Sequence, residues 1–201
     1  MSTEALINRL WVGSCDPGRE WATVFRPLVP SGGFDLADPS EWVLASFDST
    51  RIAADGPVQV CTAVSAAVPK QCSPVCLVGI EGAYIKPGFG KKQALAYAMR
   101  VGMFRQAFHM QGITTVIIPP AYGKGGLAWK REVGVTGMTL EEQQQWCHGM
   151  LGTWPVDEHE ADAFALCHFI QTRVHKHLLI GVPIPKCLQE GVKELKKGVA
   201  E

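Results

Sequence analysis

The residues with the most chemistry in the least space lie at Pro155-Val156-Asp157-Glu158-His159-Glu160-Ala161-Asp162-Ala163-Phe164-Ala165-Leu166. Four acids and a histidine fall within six positions, and the chain is then almost wholly apolar through Ile170. That apolar part has the length and Ala/Leu content of a buried helix. Asp157 followed three residues later by Glu160 predicts a capping box, with Pro155 just outside the helix. On such a helix Glu158 and Asp162 stand at i, i+4, and His159 and Asp162 at i, i+3. These three therefore share a face, which continues through Ala165, Leu166 and Phe169. Carboxylates aimed along a buried face need a strong partner, and a divalent cation is one. A solvated, capped first turn with nothing bound has the same spacing. Glu160 lies roughly opposite, and capping accounts for it.

Two more acids stand where apolar runs stop. Arg9–Cys15 reads as a strand closed by Asp16-Pro17-Gly18, which puts the Asp16 carboxylate at the strand's end beside a tight turn. Val75–Ile80 is continuously apolar, the mark of a central strand buried on both faces, and it ends at Glu81. Between them, Trp21–Phe25 and Glu41–Phe47 complete a three-stranded meander. Pro57–Val68 reads as a helix opening at a proline. A loop with Pro87, Gly88 and Gly90 leads to a long helix over about 91–111, whose Ala94, Ala98 and Gly102 form a flat stripe for close approach to the sheet. Met99, Met103, Phe104 and Ala107 widen that apolar face into packing or a dimer contact. Ile113–Ile118 is a fifth strand, ended by Pro119-Pro120. A short segment over 127–133, a helix over about 140–150 and the acidic helix follow. From about Lys176 the chain reads as a basic tail with prolines. There are no internal repeats and no boundary for a second domain, so residues 1–201 read as a single domain.

Composition limits the function classes. Apolar residues at 47% and charged residues at 19% describe a globular chain. No apolar run approaches the roughly 18 residues of a membrane helix, and Met1–Arg9 lacks a signal peptide's apolar segment. The expectation is a protein that is neither secreted nor membrane-bound. Its seven scattered cysteines then read as reduced thiols. Cys72 and Cys76 lack a second pair at zinc-ligand spacing. Net charge is zero, yet Gly82–Arg131 contains no Asp or Glu and carries Lys86, Lys91, Lys92, Arg100, Arg105, Lys124, Lys130 and Arg131. Fifty residues of one sign favour a polyanionic partner over a solvated face, which usually mixes both.

Acids at the ends of two distant strands and at the head of a late helix make a three-point metal site. Such a site suits phosphodiester hydrolysis, in which two divalent cations about 4 Å apart activate water and stabilise the leaving oxygen. Hard oxygen ligands select Mg²⁺ or Mn²⁺ over zinc.

The order of elements and these acids resemble the RuvC-like Holliday junction resolvases of the RNase H-like superfamily. Val12-Gly13-Ser14-Cys15-Asp16-Pro17-Gly18 resembles the family's first motif, Val78-Gly79-Ile80-Glu81 its second, and His159-Glu160-Ala161-Asp162-Ala163 its last. The likeness runs from about Leu10 to Ile170. It implies an α/β, RNase H-like fold with a five-stranded mixed sheet, order 3-2-1-4-5, flanked by helices. By the same resemblance Asp16, Glu81 and Asp162 are the catalytic, metal-binding carboxylates. His159 takes the fourth position, as ligand or as general acid/base, and Glu158 is the alternative fourth ligand. Tyr84 matches a position for an aromatic that stacks on a base at the opened junction. Trp129-Lys130-Arg131 resembles a Trp-Lys motif of phage and chloroplast members, whose lysine sits near the scissile phosphate. Tyr84, Lys86, Lys91, Lys92, Lys124, Lys130 and Arg131 are thus the candidate DNA-binding residues. The implied activity is Mg²⁺-dependent nicking of opposed strands of four-way DNA junctions by a homodimer. The implied location is the cytoplasm or nucleoid, or, for a viral or organellar protein, the compartment holding the DNA. Three alternatives stand beside it: an RNase H-like nuclease for other branched DNA or hybrids, an inactive junction-binding protein, and an actin-like nucleotide-binding protein.

Overall fold

The computed structural model describes residues 6–17, 20–29, 42–48, 57–70, 76–82, 90–119 and 129–198. Strands β1 (Trp11–Asp16), β2 (Glu20–Pro27), β3 (Val43–Asp48), β4 (Cys76–Glu81) and β5 (Thr114–Ile118) form one sheet in the order β3-β2-β1-β4-β5. The first three strands pair antiparallel, while β4 lies parallel to both β1 and β5. This is the mixed sheet, in the order, that the sequence motifs imply. The helices are α1 (Pro57–Ala67), α2 (Lys91–Met110), α3 (Trp129–Val133), α4 (Leu140–Leu151), α5 (Glu158–Ile180) and α6 (Lys186–Gly198). None is long and apolar enough to cross a membrane.

Strand alternation sorts the central side chains onto two faces. Val12 and Leu77 join an apolar cluster with α5 and α6, including Phe164, Ile170 and Leu188. Cys15, Cys76, Val78 and Ile80 point the other way, into a cluster with Val60 and Val64 of α1 and Phe104 and Phe108 of α2. Asp16 is in phase with Val12, and Glu81 with Leu77, so both acids face α5. The last β1–β4 pair is Cys15↔Ile80, and the two acids come one step beyond it.

Side-chain clips hold α5 on this face. Ser14 Oγ donates to the Ala163 carbonyl at 2.5 Å, and Gln171 Nε2 donates to Pro27 O at 2.9 Å. Gly79 permits the close approach. A Cβ there would lie 2.3 Å from Ile170 Cδ1 and 3.0 Å from Ile118 Cγ1.

Two expectations are corrected. The basic tail from about Lys176 is ordered helix: α5 continues to Ile180, and after Pro183 and Pro185 the chain re-enters a helix, α6. Ile184, Leu188, Val192 and Leu195 recur at helical spacing and are buried, while Lys186, Lys193, Lys196 and Lys197 face outward. The prolines precede the first turn, where no amide partner is required. Gly191 seats α6 on the sheet, because a Cβ there would lie 2.5 Å from Val116 Cγ1. In α2 the small-residue stripe points outward: Ala98 and Gly102 are exposed, and Phe104, Ala107 and Phe108 are buried instead. Burying two aromatic rings removes more apolar area from water than burying alanine and glycine, so the rings set the helix's phase.

Candidate metal centre

Asp16, Glu81 and Asp162 meet at the C-terminal ends of β1 and β4. Each offers a carboxylate oxygen, and these oxygens lie within 4.8 Å of one another. Among the described residues this is the group of acids, histidines and cysteines that converges on one point. Parallel pairing places the first two acids side by side. The Ser14–Ala163 bond delivers the third, because Ala163 follows Asp162 and Ser14 lies two residues before Asp16.

Neighbouring groups orient each carboxylate. His159 Nδ1 lies 2.7 Å from Asp16 Oδ2, so the ring nitrogen donates to the carboxylate. Trp129 Nε1 donates to Glu81 Oε1 at 3.2 Å. Lys130 Nζ donates to Asp162 Oδ2 at 2.5 Å. The other oxygen, Asp162 Oδ1, is buried without a hydrogen-bond partner. A buried carboxylate oxygen with no donor is costly unless a cation reaches it.

The electrostatics agree. Burial first, then the neighbouring charge of Asp16, pushes Glu81 up from its ordinary 4.5 to about 7. Asp162 is also raised, by burial, although Lys130 pulls the other way. Burial works to lower Lys130, but the adjoining Asp162 outweighs it and holds the ammonium above its ordinary range. Three carboxylates facing one lysine are short of positive charge, which a divalent cation would supply. The donor set is hard oxygen, and it fits Mg²⁺ or Mn²⁺.

Of the expected site residues, Asp16, Glu81, Asp162 and Lys130 come together, and His159 adjoins them through Asp16. Glu158 does not take part. It occupies the first helical position, is exposed, and falls outside the convergent group. The i, i+4 spacing was right, but Glu158 stands exposed at the first position of α5, and it is His159, one position on, that meets Asp16. Glu160 is buried and caps the helix: its side chain accepts from Val156 N at 2.8 Å, while its own amide donates to Asp157 Oδ1. Lys91, Lys92 and Arg131 are exposed, the lysines at the end of α2 that follows β4. Tyr84, Lys86 and Lys124 lie outside the described residues.

Two neighbours take roles that the sequence did not assign them. Trp129 is fully buried and orients Glu81, a role that Trp-Lys adjacency alone does not reveal. Tyr97 of α2 lies near enough that, after burial, the charges of Asp16 and Glu81 hold its hydroxyl well above its ordinary range. The Arg100 guanidinium carbon sits 5.5 Å from the Tyr97 ring centre. The described cysteines, Cys15, Cys61, Cys76, Cys147, Cys167 and Cys187, are free thiols, as expected. Burial and the charge of Asp162 push Cys147 up to about 12, so it stays protonated beside the acids.

No protein-family model matches this chain, and no curated protein does. Solved structures do. Thermus thermophilus RuvC is 16% identical, with 83% of this chain and 95% of that one covered at a TM-score of 0.49. T. thermophilus RuvC in complex with a Holliday junction substrate is 15% identical, with 86% and 98% covered at a TM-score of 0.52. This chain has a RuvC-like fold. Within the RuvC-like fold, its three acids occupy the ends of two adjacent parallel strands and the first turns of the helix that crosses them.

Proposed function

We propose that the chain is a structure-selective endodeoxyribonuclease that resolves four-way DNA junctions by nicking opposed strands. The observation carrying this reading is the convergence of Asp16, Glu81 and Asp162 within 4.8 Å, with an unpartnered carboxylate oxygen among them. The RuvC-like fold supports it. Asp16, Glu81 and Asp162 would hold the divalent cations, Mg²⁺ or Mn²⁺, two per site. Bound there, the ions supply a water nucleophile and charge stabilisation at the leaving oxygen.

The chain's own groups do the rest. Trp129 fixes the Glu81 carboxylate, and Ser14 fixes the helix that presents Asp162. With Nδ1 of His159 held by Asp16, proton exchange falls to Nε2, so His159 serves as general acid or base. His159→Ala should slow cleavage by about 10²-fold while leaving DNA affinity unchanged. Lys130, partly exposed beside Asp162, would present its ammonium to a phosphate oxygen of a strand bound at the carboxylates. Lys91, Lys92 and Arg131, with Tyr84, Lys86 and Lys124, contact the DNA; phosphate contacts position a duplex without specifying its sequence. A homodimer would match the near two-fold symmetry of a four-way junction. The exposed side of α2, with Leu95 and Met99 beside Ala98 and Gly102, offers an apolar face for it.

The test is digestion of four-way junction, flap, duplex and RNA–DNA hybrid substrates by the purified protein, with and without Mg²⁺. Symmetric nicking of the junction alone, dependent on the metal, is the expected result. Preference for flap or hybrid reassigns the substrate, and binding without cutting makes the chain a junction-binding protein.

A further inference from the structure

Three of the large apolar side chains exposed among the described residues fall within seven consecutive positions: Met150 at 52%, Trp154 at 55% and Val156 at 73%. They occupy the end of α4 and the connection leading into Asp157, the N-cap of α5. The backbone is anchored on both sides of Trp154. Gly152 N donates to His148 O, Trp42 Nε1 to Leu151 O at 3.2 Å, Gln144 Nε2 to Pro155 O at 2.8 Å, and Val156 N to Glu160 Oε2 at 2.8 Å. Trp154 stands exposed between these anchors. Its indole lies on the His148 imidazole with ring centres 5.0 Å apart and planes within 17°. A stacked histidine fixes the ring's plane from one side.

Position says what the ring meets. Trp154 precedes His159 by five residues, a span of at most about 17 Å of extended chain. A strand whose phosphate sits at the carboxylates therefore has this ring within reach of a base a few nucleotides away. Asp157 and Glu158 beside it repel phosphate, which leaves the base as the part of the strand that can approach. Base faces are covered in a duplex and open only where pairing is lost, and aromatic rings stack on such bases without regard to sequence. Three side chains are too small a patch for a protein partner, which needs roughly 800 Å² per side.

We propose that Trp154, backed by His148, is a stacking platform for an unpaired base of the strand engaged at the carboxylate centre. The proposal rests on the nuclease reading above. It adds a second aromatic contact, on the α4–α5 side of the centre, to the one expected from Tyr84.

The experiment uses the full chain carrying Asp162→Asn, so that nothing is cut. Binding to a four-way junction, a single strand and a blunt duplex is measured by anisotropy across a salt series. Trp154→Ala should weaken the first two by about 10-fold or more, leave the duplex within two-fold, and keep the salt slope. Trp154→Phe should recover most of the loss, and His148→Ala should reproduce part of it. Equal weakening on duplex overturns the platform, as does unchanged junction binding by both Trp154→Ala and His148→Ala. A change in oligomeric state with DNA affinity intact reassigns the patch to a protein interface. If the Asp162→Asn parent binds no nucleic acid at all, the nuclease reading fails and the platform with it.

Discussion

The two long helices on opposite faces of the sheet are built on opposite plans. In α5, of 23 residues, eleven are buried, and hydrogen bonds from Ser14 and Gln171 tie it to the strands beneath. In α2, of 20 residues, only Phe104, Ala107 and Phe108 are buried, and Leu95, Met99 and Met110 stand exposed. A metal centre needs ligands held to fractions of an ångström, which a close-packed helix provides. A partner surface needs the reverse, side chains still open to water. The chain thus holds its carboxylate cluster on one closely packed helix and leaves the apolar side chains of the other open to water.

The sharpest break in this comparison is Asp162→Asn on α5. Cleavage should fall by about 10³-fold or more, the scale of several kcal/mol of lost charge stabilisation, in a single-turnover assay. Junction affinity should hold or rise, since a negative charge near phosphate is removed. Cleavage at the wild-type rate would make Asp162 a structural residue.

Glycines probe the packing contrast directly. Gly79→Ala drives a methyl into Ile170 and should cost about 1–3 kcal/mol of stability in a denaturant titration. Gly102→Ala in α2 meets nothing within 4 Å and should stabilise by about 0.5–1 kcal/mol. Opposite signs support the contrast, and equal signs remove it.

A subtler difference lies in pH. Folded Glu81 keeps its proton up to about 7 against an ordinary 4.5, so the folded state binds the extra proton between those values. Stability therefore falls as pH rises through that window, and a bound divalent cation, which favours the ionised form, offsets the fall. Melting temperatures from pH 4.5 to 8, with and without Mg²⁺, should diverge toward high pH. Glu81→Gln should flatten the metal-free curve.

The smallest expected effect belongs to α2. Replacing Lys91 and Lys92 together with Ala should weaken binding to all DNA shapes alike and flatten the log–log salt slope by up to about two. An unchanged slope places the DNA on another face.

How far this could be read from residues alone follows the same division. β1 and β4 were legible because an apolar run that stops at an acid fixes both the strand and the position of its carboxylate. Asp162 was legible because the Asp157 N-cap sets the phase of the helix after it, although the Glu160 side chain accepts from Val156 N rather than closing a capping box on Asp157 N. The phase of α2 was not, since Ala94, Ala98 and Gly102 offered one seam, Phe104 and Phe108 another, and only the sheet chooses between them. The helix α6 was hidden by reading its lysines as a tail, when Ile184, Leu188, Val192 and Leu195 already carried the helical period. Glu158 and His159 could not be ranked, because both are within reach of Asp162 in sequence and only the fold brings Asp16 to His159. Trp129 needed the fold, for its partner Glu81 is 48 positions away.

The separation between the three acids has a kinetic consequence. Asp16 and Glu81 become neighbours only when β4 inserts beside β1, and Asp162 joins only when α5 docks across both. Contacts of such long sequence separation are slow to form, and three like charges resist the last step of assembly. A folding transition state that lacks this cluster gains nothing from a divalent cation, whereas the finished fold gains all of its binding energy. Mg²⁺ added to a refolding reaction should then leave the folding rate nearly unchanged and slow unfolding instead, making the ion a latch on a structure that has already closed.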